Sequence, residues 1–165
     1  MLDSHRRSGN RETLPRSRRR ELNISVILYV EDDALQQIEG QFALENAGYE
    51  VLTAGNGEQA IGRLNVRGCE VRTLITDIGL GGRIDGWDVA DFARTIDPEV
   101  RVIYVTAADS AGFGARGVVR SRLVAKPFEW SQVLRLARQG DGASPPAPPE
   151  LPFTTGPGED SLARH

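Results

Sequence analysis

Val26-Ile27-Leu28-Tyr29-Val30 runs straight into Glu31-Asp32-Asp33. A short apolar run, rich in β-branched residues and cut off by polar ones, reads as a buried strand. Four more runs of this kind follow, giving candidate strands at 24–30, 49–54, 72–76, 101–105 and 121–125. Those at 24–30, 72–76 and 101–105 are dense in Val, Ile and Leu without clean alternation, as expected of central strands covered on both faces. Helical patterns lie between them. Leu35, Ile38 and Phe42 fall at i, i+3 and i+7, and Ala60, Ile61 and Leu64 make a shorter stripe. Val89, Phe92, Ala93 and Ile96 form a full i, i+3, i+4, i+7 face, as do Trp130, Val133, Leu134 and Ala137. An amphipathic reading puts each stripe against the core. Asn56, Asp85 and Asp109 stand where they can cap helices, and Gly48, Gly68 and Gly140 stand where helices should stop. Residues 110–119 carry Gly112, Gly114 and Gly117, each costing about 1 kcal/mol in a helix interior. A short, mobile fourth helix is expected there. Five βα units in series predict an α/β fold: a five-stranded parallel sheet, helices on both faces and right-handed crossovers.

Function in such a sheet belongs outside the carboxyl ends of its strands. Four polar features fall at that end. Glu31-Asp32-Asp33 follows the first strand, Asp77 the third, Thr106 the fourth and Lys126 the fifth. Lys126 is the single lysine in a chain that otherwise uses arginine for its cationic side chains. A lysine is a compact point charge suited to one oxygen in a tight site, where a planar guanidinium is not. Taken singly, each feature has an ordinary explanation as a helix start, a turn or a strand end. Four in order at successive strand ends indicate a site. Carboxylates brought together repel, so one must take a proton or a cation must enter. Glu31, Asp32 and Asp77 are hard oxygen donors that suit Mg²⁺. A divalent ion beside Asp77, faced by Lys126 and Thr106, describes phosphoryl transfer with a carboxylate as nucleophile. Asp77 is expected to be exposed.

Composition excludes several other classes. The net charge of −3 divides into +4 over residues 1–22, −4 over 23–140 and −3 over 141–165. An acidic body argues against direct DNA binding. The longest wholly apolar run has five residues, against roughly 20 for a bilayer span, so no membrane segment is expected. A lone Cys69, with His5 and His165 both in the tails, excludes a disulfide framework, disfavours zinc and fits a cytoplasmic location. Residues 1–22, with Arg18-Arg19-Arg20, read as a disordered arginine-rich tail, and 141–165 as a disordered proline-rich one. The folded domain is expected at 23–140. A dinucleotide site is disfavoured, because three acids after the first strand repel a pyrophosphate.

Residues 24–139 resemble the receiver domain of two-component response regulators. The resemblance rests on residues 27–33, Thr76-Asp77-Ile78, Asp85-Gly86, Val105-Thr106-Ala107 and Ala125-Lys126-Pro127-Phe128. It implies a flavodoxin-like, doubly wound sheet of order 2-1-3-4-5 with about five helices. It implies Asp77 as phosphoacceptor, Glu31 and Asp32 as the acidic pair for Mg²⁺, and the Gly79 carbonyl as a further ligand. Thr106 is then the switch hydroxyl, Lys126 contacts the phosphoryl group, and the Lys126–Pro127 bond is cis. The implied protein is a stand-alone phospho-accepting regulator that catalyses only its own phosphorylation and dephosphorylation. Its phosphoryl source is a sensor histidine kinase or histidine phosphotransfer protein. Its output is an unknown downstream protein, a relay or a phosphate sink, with a homodimer left open. Three departures stand out. Leu123 occupies the usual aromatic switch position, the loop at 79–85 has glycine where proline is common, and the fourth helix is short. The alternative, an aspartyl-phosphate phosphatase of haloacid dehalogenase type, needs a general acid two residues after its nucleophile, where this chain has Gly79.

Overall fold

The computed structural model describes residues 24–107 and 112–139. In chain order the elements are β1 (Val26–Val30), α1 (Ala34–Asn46), β2 (Glu50–Ala54), α2 (Gly57–Arg67), β3 (Val71–Asp77) and α3 (Gly86–Ile96). β4 (Arg101–Thr106), α4 (Phe113–Arg116), β5 (Arg122–Ala125) and α5 (Trp130–Arg138) follow, and a 3-10 turn at Gly68–Glu70 precedes β3. All strand pairs are parallel and the order is β2-β1-β3-β4-β5. Every strand ends within two residues of its expected limits. The two expected tails, Asp109 and Gly140 lie outside the described residues.

Alternate residues of the central strands serve two cores. Ile27, Tyr29, Ile75, Ile103 and Val105 pack with Leu44 of α1 and with Val133 and Ala137 of α5. Val26, Leu28, Val30, Leu74, Val102 and Tyr104 pack with Ala60 and Leu64 of α2 and with Val89, Ala90 and Ala93 of α3. Burial on both faces explains why these strands lack polar alternation. α1, α2 and α3 begin on side-chain caps. Asp33 accepts from the Leu35 and Gln36 amides, Asn56 from Gln59, and Asp85 from Asp88. Each cap satisfies donors that the first helical turn leaves without partners.

One expectation for the helices fails. The α1 stripe faces away from the core: Leu35, Ile38 and Phe42 are 74%, 63% and 68% exposed. The buried positions of α1 are Gly40 and Leu44. The cause is a close approach at Gly40, where a β-carbon would run into the Tyr29 ring and come within 2.6 Å of the Trp130 indole. Tyr29 and Trp130 meet edge to face at 5.6 Å. That contact turns Gly40 inward, and at 3.6 residues per turn positions 35, 38 and 42 lie roughly 140–160° around the helix from it. The other stripes behave as read. Ala60, Leu64, Val89, Ala93, Val133 and Ala137 are buried.

Candidate functional site

Strand register places the four polar features at one level. Val30 is in register with Thr76, Asp77 with Val105, and Thr106 with Ala125. Glu31 and Lys126 each follow the last residue of a strand. Pairing continues through their backbones, with the Glu31 amide donating to Ala54 O at 3.1 Å and the Lys126 amide to Thr106 O at 2.8 Å. The Lys126–Pro127 peptide is cis. Thr106 is buried at the end of β4.

Lys126 joins the acidic residues. Its Nζ donates to Asp77 Oδ2 at 2.6 Å and to Glu31 Oε2 at 2.7 Å. The Gly79 amide donates to Asp77 Oδ1 at 2.9 Å, and the Asp33 amide to Glu31 Oε1 at 3.3 Å. Carboxylate oxygens of Glu31, Asp32 and Asp77 lie within 4.8 Å of one another. Asp77 is 8% exposed, not exposed as its strand-end position suggested. The Lys126 ion pair, formed across 49 residues of chain, allows a carboxylate to sit that deep. Glu31 is 1% exposed. Burial pushes its pKa above the ordinary carboxylate value, and the hydrogen bond and charge of Lys126 offset this only in part. Burial works against the Lys126 ammonium as well, but its bonds to Asp77 and Glu31 outweigh that and hold its pKa up.

The donor set fits a small divalent cation. Three clustered carboxylates face one ammonium, so the fully ionised cluster has a net charge of −2, and all its side-chain donors are hard oxygens. Asp32 is exposed, leaving solvent access on one side. Beside the cluster opens a cleft of about 440 Å³ lined by Tyr29, Gln36, Glu39, Ala107, Lys126, Pro127, Phe128 and Trp130. The sequence reading gave no role to its aromatic wall. The signal available was Phe128 and Trp130 crowded just after Lys126-Pro127. Leu123 is half-buried and packs against the core on the α3 side.

Comparison with known proteins gives one answer. The family model for the response regulator receiver domain matches residues 27–138. The response regulator receiver protein CpdR of Brucella abortus is 33% identical over 104 residues, covering 62% of this chain and 84% of that protein. The crystal structure of a response regulator receiver protein from Sinorhizobium medicae superposes with a TM-score of 0.70 at 30% identity, covering 74% of this chain and 98% of that one. The chemotaxis protein CheY4 of Vibrio cholerae shares the fold, with a TM-score of 0.63 at 21% identity over 70% of this chain and 98% of that one. Among the described residues no helix is long and apolar enough to cross a membrane. With the sheet order, the acidic cluster and the matched span all agreeing, this chain belongs to the response regulator receiver domain family, a family of signalling domains in two-component systems.

Proposed function

We propose that Asp77 accepts a phosphoryl group from the phosphohistidine of a sensor histidine kinase or histidine phosphotransfer protein. An Asp77 carboxylate oxygen forms the new O–P bond as the N–P bond of the donor breaks, and the imidazole leaves with that electron pair. The observation that carries this reading is the Lys126 Nζ bridge between Asp77 and Glu31, with Asp32 alongside. Lys126 stands beside an oxygen of the acceptor and neutralises charge gathered there. Thr106, at the end of the neighbouring strand, offers a hydroxyl donor to the phosphoryl oxygens. Mg²⁺ would be held by Glu31, Asp32, Asp77 and the Gly79 carbonyl, and when bound it neutralises phosphoryl charge.

The exposed row on α1 supports a protein as the phosphoryl source. It starts just beyond the Asp33 cap, and α1 carries Glu39 and Glu45 with no basic residue. A partner with an apolar stripe and basic flanks fits that face. The domain then signals through a downstream protein or passes phosphate on. We place it in the cytoplasm, with no direct DNA contact and with homodimerisation as one form of output.

Intact mass after incubation with Mg²⁺ and acetyl phosphate tests the chemistry. The expected result is one phosphoryl adduct, absent with Asp77→Asn and with EDTA. A folded, Mg²⁺-binding protein that gains no adduct would overturn the reading.

A further inference from the structure

We propose that Arg116 is a latch that holds α4 on the first turn of α3, and that phosphorylation of Asp77 acts on α4 by loosening it. The proposal rests on Asp77 being the phosphoacceptor. Leu123, an aliphatic side chain in the usual aromatic switch position, leaves this chain in need of another link between site and surface. The first turn of α3 provides one. Gly86 opens that helix and packs directly on the Asp77 carbonyl; a β-carbon there would strike that oxygen and lie 2.8 Å from Ile78 Cα. Its amide donates to Ile78 O at 2.9 Å. The start of α3 therefore rides on the backbone of the acceptor.

Arg116 grips that same turn. Its guanidinium donates to Asp85 Oδ2 at 2.8 Å, reaches Asp88 Oδ1 at 3.4 Å and sits 5.8 Å from the Trp87 ring centroid. These are three of the first four positions from the N-cap, and Asp85 and Asp88 also form the capping box. On its other side α4 meets β4. Phe113 lies 6.0 Å from the Tyr104 ring and 6.4 Å from that of Trp87, and the Val118 amide donates to the Tyr104 hydroxyl at 3.4 Å. Tyr104 is two residues from Thr106. α4 thus touches both routes leading from the phosphoryl site.

With only four residues and no side-chain cap, α4 cannot be held by its own helical hydrogen bonds. Its position depends on the Arg116 fork and the aromatic contacts. A forked contact at 2.8 and 3.4 Å weakens steeply with small displacements. A phosphoryl group adds about −1.5 to −2 charge at Asp77, and any shift of the Asp77–Ile78 backbone is passed through Gly86 to the carboxylates that Arg116 holds.

Reciprocity supplies the test: a contact that phosphorylation weakens must itself oppose phosphorylation. Arg116→Ala should raise the plateau ratio of labelled to unlabelled Asp77 under acetyl phosphate about two- to fivefold, the range a partly exposed ion pair allows. It should also move the amide resonances of residues 114–118 toward the positions they take in phosphorylated wild type. Arg116→Lys keeps the charge without the fork and should fall between the two. A purely structural Arg116 would lower the melting temperature of Arg116→Ala without raising that plateau ratio. That result, or wild-type resonances at 114–118 that ignore phosphorylation, would overturn the latch. Wild type that gains no adduct is a separate result: it removes the phosphoacceptor reading and the latch with it.

Discussion

α1 and α3 are helices of similar length packed on the same sheet, yet they point their apolar rows in opposite directions. On α3, Val89 and Ala93 are buried and Phe92 and Ile96 pack against the same core. On α1, Leu35, Ile38 and Phe42 face solvent, while Gly40 and Leu44 face the sheet. The difference comes from what lies beneath each helix. Under α1 two large rings, Tyr29 and Trp130, fill the space that side chains would otherwise take. A helix over bulky neighbours needs a glycine inward, and its own large residues become surface. α3 instead supplies bulk to its core, including Trp87, which tilts against Tyr104 at a centroid distance of 4.4 Å.

The largest effect is expected at Leu44, the one large side chain that α1 buries completely. Leu44→Ala should cost about 2–5 kcal/mol in denaturant unfolding. A loss below 1 kcal/mol would mean that α1 is not anchored there. Gly40→Ala comes next. Overpacking against Tyr29 and Trp130 costs about 1–3 kcal/mol, offset by up to about 1 kcal/mol of helix propensity. A net loss should appear together with a changed Trp130 environment in near-ultraviolet circular dichroism, and a stabilised variant would contradict the close approach.

On the α3 side, Asp85→Ala removes the cap and should cost about 1 kcal/mol. Burial raises the Asp85 pKa, but the Asp88 amide and Arg116 outweigh it and hold the carboxyl below its usual value. A depressed carboxyl contributes stability above its unfolded pKa and loses it as pH falls through the folded one. Wild type should therefore lose its advantage over Asp85→Ala between about pH 5 and pH 2. A difference in melting temperature constant across that window would deny Asp85 this role. The smallest effect belongs to the exposed row. Phe42→Ser should change stability by less than about 0.5 kcal/mol, and a loss above 2 kcal/mol would show that the row is part of the core.

Most of the architecture was legible in the sequence because it depends on local signals. The Val/Ile/Leu-rich runs read at 24–30, 72–76 and 101–105 mark buried strands wherever they lie, and Glu31, Asp77, Thr106 and Lys126 come at or just beyond strand ends. What was not legible depends on partners distant in sequence. The orientation of α1 is decided by Trp130, 90 positions from Gly40. The burial of Asp77 requires Lys126, and the α4 contact pairs Arg116 with Asp85, 31 residues apart. Periodicity identifies that a helix has an apolar side; only the packing beneath it says which side faces in.

The proposed chemistry rests on one group, the Asp77 carboxylate. Borohydride reduces an acyl phosphate to an alcohol, so an aspartyl phosphate becomes homoserine at the modified position. After labelling with acetyl phosphate and Mg²⁺, peptide mapping should find homoserine at position 77 and nowhere else. Homoserine at 31 or 32, or unmodified Asp77 in a protein that carries the adduct, would contradict the account.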